Sequence, residues 1–207
     1  MSTAALLSFS LVALLTVLTP GLDTVMVLRT ALLSGKRAAM GVVLGITLGC
    51  LGWGVASLAG LTALLRASEL AYDVVRWLGA AYLIYLGAKA LCLSSFSMAR
   101  KAVSLEDSRP VPGAGASLRV GLLTNLLNPK VGVFYLSLLP QFMPAGQPAW
   151  GAALVAIHLG LGLVWLPILI AVAGRARAFL LRQQVLLDRL TASVFVALGL
   201  KLAFEAR

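Results

Sequence analysis

A proline followed by a lysine in the middle of an apolar run constrains this chain more than any other feature. The run covers about residues 120–142, and Leu126-Leu127-Asn128-Pro129-Lys130-Val131 lies near its centre. It is long enough to cross a bilayer. Proline removes one backbone hydrogen bond of a helix and clashes with the preceding turn. A lysine at the bilayer centre costs on the order of 3 kcal/mol or more. In lipid, a freed carbonyl and a charge survive only where they face protein or a water-filled cavity. Asn128 and Pro129 also read as the N-cap and first residue of a new half-helix. The run is therefore a membrane helix broken at Pro129, with the break turned inward.

The rest of the chain fits that setting. Of 207 residues, 60% are hydrophobic and 12% charged, and the mean hydropathy is +0.98. A soluble domain does not need so apolar a composition, so the fold class is an all-α polytopic membrane protein. Six spans are expected, at about 4–33, 40–65, 70–93, 120–142, 149–173 and 186–204. The first is too long for one simple crossing and is interrupted by Thr19-Pro20-Gly21-Leu22-Asp23. It lacks a basic leader and a small-residue cleavage site, so it reads as a retained helix. A polar stretch, 94–117, separates two halves, 1–93 and 118–207.

The formal net charge of +10 raises nucleic acid as a partner, but the basic residues cluster between apolar runs. That is a topology signal, and the lipid bilayer is the partner it indicates. Lys36 and Arg37, then Arg100, Lys101, Arg109 and Arg119, then Arg175, Arg177, Arg182 and Arg189 fall on one side. That side is expected to be cytoplasmic, which makes 94–117 a cytoplasmic linker and puts both termini outside. Cys50 and Cys92 sit in apolar runs and give neither a disulfide framework nor a metal spacing. No cofactor or metal ligand set is expected.

The halves echo each other. Tyr85-Leu86-Gly87-Ala88-Lys89 matches Ala197-Leu198-Gly199-Leu200-Lys201, and Leu78 and Ala80 match Leu190 and Ala192 at the same offset. Pro20 and Pro129 both fall in mid-span. Three spans per half is an odd number, so the halves run in opposite directions. The expected architecture is a three-plus-three inverted repeat with the first helix of each half broken.

The polar residues at the breaks are the candidates for substrate binding or coupling: Thr19, Pro20, Gly21, Asp23 and Thr24 at the first, Asn125, Asn128, Pro129 and Lys130 at the second. Asp23 is the carboxylate placed well inside a span, in a first helical turn that favours an anion. Lys130 lies in the corresponding turn of the other break, and Asp23 is its expected partner. Asn125 reads equally as an interhelical hydrogen bond. His158, alone in span 5, reads as a core histidine ahead of a proton relay. Gly41, Gly45 and Gly49 form one face of span 2 that suits close helix packing, within the bundle or in a homodimer.

Thr19-Pro20-Gly21 with Asp23, Trp77-Leu78-Gly79-Ala80-Ala81-Tyr82-Leu83, Tyr85-Leu86-Gly87, and Asn128-Pro129-Lys130 followed by Phe134 and Leu139-Pro140-Gln141-Phe142 carry a resemblance over nearly the whole length. The chain resembles the LysE/RhtB family of amino-acid exporters, with Leu22 standing where that family usually has a second proline. The resemblance implies a bacterial inner-membrane exporter, not an enzyme, carrying amino acids or related metabolites under the proton gradient. The residues themselves suit that reading: half-helix N-termini and Lys130 for a carboxylate, and Asp23 for an ammonium group or, in its absence, a proton. The alternative is an exporter of another small solute, such as a divalent cation.

Overall fold

A computed structural model describes residues 3–67, 113–143 and 147–173 continuously, with scattered residues between 74 and 88 and between 186 and 204. All elements formed by the described residues are helical. Helix α1 (Thr3–Leu18) and helix α2 (Leu22–Leu33) meet at an angle of 46° across Thr19-Pro20-Gly21. Helix α3 is Gly35–Ala67. Helix α4 (Ala114–Leu126) is followed by the short helix α5 (Pro129–Val133), a π turn (Phe134–Leu138) and a 3₁₀ turn (Leu139–Phe142). The segment Pro129–Phe142 is bent by 55° from α4. Helix α6 is Pro148–Ala171.

Both breaks thus fall at the expected prolines. Gly35–Gly60 and Ala149–Ala171 are each long and apolar enough to cross a membrane, and each bent pair adds one more span, giving up to four among the described residues. The expected third and sixth spans, and most of the linker, lie outside the continuously described residues. The residues described there are helical.

Two boundaries move. Helix α3 starts at Gly35, so Lys36 and Arg37 occupy its first turn and not a loop. Gly35 has φ +85°, which lets the chain reverse between α2 and α3 without a linker. Helix α4 starts at Ala114, so 114–117 are helical and do not belong to the connecting segment. Ser117 is fully buried there because it packs against Gly41 of α3.

The α3–α4 seam holds the bundle together. A Cβ on Gly41 would lie 2.8 Å from Cβ of Ser117, and one on Gly45 would collide with the Leu118 carbonyl. One on Gly121 of α4 would collide in turn with the Val42 carbonyl. Backbones approach this closely only where side chains are absent. The glycine face is therefore used within the chain, and it is not the surface left for a second copy. Leu44, Leu48, Leu51 and Val55, at helical spacing on α3, are exposed. In a membrane protein they face lipid. The core runs between α1, α3, the π turn and α6, where Phe9 contacts Phe134 and Phe142 at ring distances of 5.8 and 5.4 Å.

Candidate functional site

The site begins with what Pro20 does to α1. In an unbroken helix the Thr16 carbonyl accepts from the N–H four residues on. That residue is Pro20, which has none. The Thr16 carbonyl is left open at the end of α1, and the Thr19 carbonyl follows it into the break. Lys130 fills the vacancy: its Nζ donates to Thr16 O at 2.6 Å and to Thr19 O at 2.7 Å. The negative end of the α1 dipole favours a cation at this point. The sequence paired Lys130 with Asp23, which lines the same cavity; the structure adds the two carbonyls of α1 as acceptors for its ammonium.

The second break is closed differently. Pro129 deprives the Asn125 carbonyl of its partner in the same way. Here the Asn128 N–H takes it at 3.0 Å, which tightens the last turn of α4. The Asn128 side chain then accepts from the Lys130 N–H at 3.1 Å and caps α5, the role expected of it. At the first break the N-cap residue of α2 is Gly21, which has no side chain to do this. The first N–H groups of α2 thus lack a side-chain cap.

Asp23 stands in the first turn of α2, as anticipated. Its Oδ2 accepts from Asn125 Nδ2 at 2.8 Å, and the same nitrogen lies 3.2 Å from the Cys50 thiol of α3. The other carboxylate oxygen, Oδ1, is buried and has no hydrogen-bond partner. Asn125 fits because position 49 is glycine: a Cβ there would be 2.5 Å from Asn125 Oδ1. Beyond Cys50, Tyr135 of the π turn holds His158 Nδ1 through its hydroxyl at 2.8 Å. Phe134 stacks on the same imidazole at 4.3 Å. The Ser57 hydroxyl donates to the Tyr135 carbonyl at 2.6 Å, and the Gln141 amide donates to the Ser137 carbonyl at 2.8 Å. Side chains thereby satisfy carbonyls near Pro140, as an irregular stretch at membrane depth requires.

These groups surround a cavity of about 60 Å³. Its polar wall is Thr16, Thr19, Asp23, Thr24, Thr47, Asn128, Lys130 and His158, and its apolar wall includes Ile46, Val131, Leu159 and Leu166. Asp23, with one carboxylate oxygen lacking a donor, and Lys130 therefore line one cavity between two helix breaks. The chain as a whole is similar to known proteins. Residues 14–206 match the family described as LysE type translocator. The chain belongs to the LysE type translocator family.

As a translocator it is a transporter and not an enzyme. It is 28% identical over 205 residues to the uncharacterized membrane protein YrhP of Bacillus subtilis, covering 95% of this chain and 97% of that one. It is 29% identical over 204 residues to an uncharacterized membrane protein of Vibrio cholerae, covering 95% of each. It is 31% identical over 152 residues to the leucine efflux protein of Salmonella typhimurium, covering 73% of this chain and 69% of that one. No solved structure matches the chain.

In this translocator the candidates picked from sequence divide into three groups. Thr19, Gly21, Asp23, Thr24, Asn128 and Lys130 line the cavity. Asn125 stands behind it and holds Asp23. Pro20 and Pro129 make the breaks but are not part of the wall. Sequence reasoning missed Thr16, Thr47 and Cys50, and read His158 as a core histidine ahead of a proton relay. Thr16 had a signal, because it lies four residues before Pro20 and its carbonyl must lose its partner. Cys50 had none: an apolar run says nothing about which neighbour a thiol will meet.

Proposed function

We propose that the chain exports small amino acids with apolar side chains from the cytoplasm, in exchange for protons, through the cavity between the two breaks. One observation carries this reading: Asp23, whose Oδ1 has no hydrogen-bond partner, and Lys130 line the same cavity. A zwitterion needs an acceptor and a donor of opposite charge close together, beside an apolar wall for its side chain. Ile46, Val131, Leu159 and Leu166 suit a branched aliphatic group, in keeping with the leucine efflux relatives. Asp23 exchanges the substrate ammonium for a proton, so outward export runs with inward proton flow. The cavity has room for a few water-sized molecules, so a whole amino acid requires the halves to move apart.

The proposal includes the inverted repeat, an inner-membrane location and external termini. The paired breaks support the repeat, as does the burial of Ala80 and Ala192, which are related by the sequence offset and are 1% and 2% exposed. Their neighbours at the same offset, Leu78 and Leu190, are both exposed.

Purified protein in liposomes, with labelled leucine, other amino acids and divalent cations offered under an imposed pH gradient, tests the function. Leucine or a similar amino acid should move against its gradient when protons flow the other way, and Asp23→Asn should abolish that coupling. Proton-driven transport undiminished in Asp23→Asn, or transport of cations alone, would refute the reading.

A further inference from the structure

The carbonyls of Thr16 and Thr19 form a cation site that already holds a primary ammonium group, and that group belongs to the protein. Lys130 Nζ sits 2.6 and 2.7 Å from the two oxygens, at the negative end of α1. Asp23 Oδ1, buried without a donor, lines the same cavity. An amino acid brings a second primary ammonium into a space where one is already bound.

The opposite charge has a place as well. A substrate carboxylate entering the cavity would meet Lys130, which lines it. Lys130 passes directly over Gly21: a Cβ there would lie 3.6 Å from Lys130 Cδ and 3.7 Å from Nζ. A small retreat of the ammonium from the α1 carbonyls therefore brings it beside the α2 N-terminus.

We infer that Lys130 is a tethered stand-in for the substrate ammonium. The α-ammonium of the substrate takes over the Thr16 and Thr19 carbonyls together with Asp23 Oδ1, and displaced Lys130 moves to the substrate carboxylate. This rests on the reading of the cavity as an amino-acid site and adds the order in which its charges change partners. An amine without a carboxylate binds poorly, because Lys130 gives up both α1 carbonyls and receives no carboxylate in exchange. A carboxylate without an amine binds poorly, because nothing replaces Lys130 at the carbonyls. The zwitterion satisfies both, so Lys130 makes the site reject half-substrates.

The test measures binding to purified protein in detergent, by calorimetry or by the ligand-induced rise in Tm, for three probes: leucine, isopentylamine and 4-methylpentanoate. Wild type should bind leucine and neither half-ligand. Lys130→Met vacates the carbonyls, so isopentylamine should bind it at least about tenfold more tightly than it binds wild type. Leucine should lose its advantage over the amine, and 4-methylpentanoate should gain nothing. If Lys130→Met does not fold, Lys130→Gln, whose amide can occupy one carbonyl and leave the other, is held to the same criterion. A folded variant with no gain for the amine, or a wild type that binds the amine as well as leucine, overturns the inference. Failure of wild type to bind or transport any amino acid instead removes the underlying functional reading, while the amine arm still decides whether the carbonyls form an ammonium site.

Discussion

Replacing Asn125 by leucine isolates the contact that positions Asp23. Asn125 Nδ2 donates to Asp23 Oδ2 at 2.8 Å, and Oδ1 of Asp23 has no partner. The substitution therefore removes the donor that holds Oδ2. A hydrogen bond to a charged group contributes about 1.5–3 kcal/mol in soluble proteins. Interhelical side-chain bonds in membranes average about 0.6 and reach about 1.7 kcal/mol, because the unfolded chain in lipid also finds partners. The bond is short and part-buried between helices, which places it at the upper end, so about 1–2 kcal/mol is expected. Leucine will also press on α3, since a Cβ at Gly49 would already be 2.9 Å from Asn125 Cβ. That steric cost is the same whether or not Asp23 is present. A double-mutant cycle with Asp23→Ala removes it. Unfolding in mixed micelles is the assay. Asn125→Leu should cost about 1–2 kcal/mol less in the Asp23→Ala background than in wild type. Equal costs in both backgrounds, within about 0.5 kcal/mol, would show that the bond does not act as described.

Gly45→Val should drive α3 and α4 apart and cost about 3 kcal/mol or more of stability, seen as loss of monodisperse protein on size exclusion. Gly52→Val on the same helix should be nearly neutral, because its nearest neighbour, Leu126 Cδ2, is 3.9 Å from the added Cβ. Tyr135→Phe removes the hydroxyl that holds His158 Nδ1 and should cost about 1 kcal/mol in the same unfolding assay, with the larger change in transport rate if the imidazole must keep its orientation. In a background lacking Cys50 and Cys92, a cysteine at position 104 should be shielded from an impermeant reagent in intact cells and one at position 145 should react; the reverse pattern would invert the topology.

The sequence alone determined the membrane class, the two breaks and the identity of the charges at them. These follow from local chemistry: proline has no N–H wherever it stands, glycine permits a tight approach, and an apolar run with an embedded charge must turn that charge inward. The capping of α5 by Asn128 was legible for the same reason, since an N-cap bonds within its own turn. Which partner each charge meets was decided by the tertiary structure. Lys130 and the carbonyls of Thr16 and Thr19 are more than a hundred positions apart, and so are Asn125 and Asp23. Charge complementarity favoured Asp23 for Lys130. The fold also brings the lysine to carbonyls that Pro20 had freed, because Gly41, Gly45 and Gly121 let α3 and α4 close until the two breaks face one another. Cys50, Tyr135 and His158 entered the site by the same route: their neighbours come from other helices, and only packing names them.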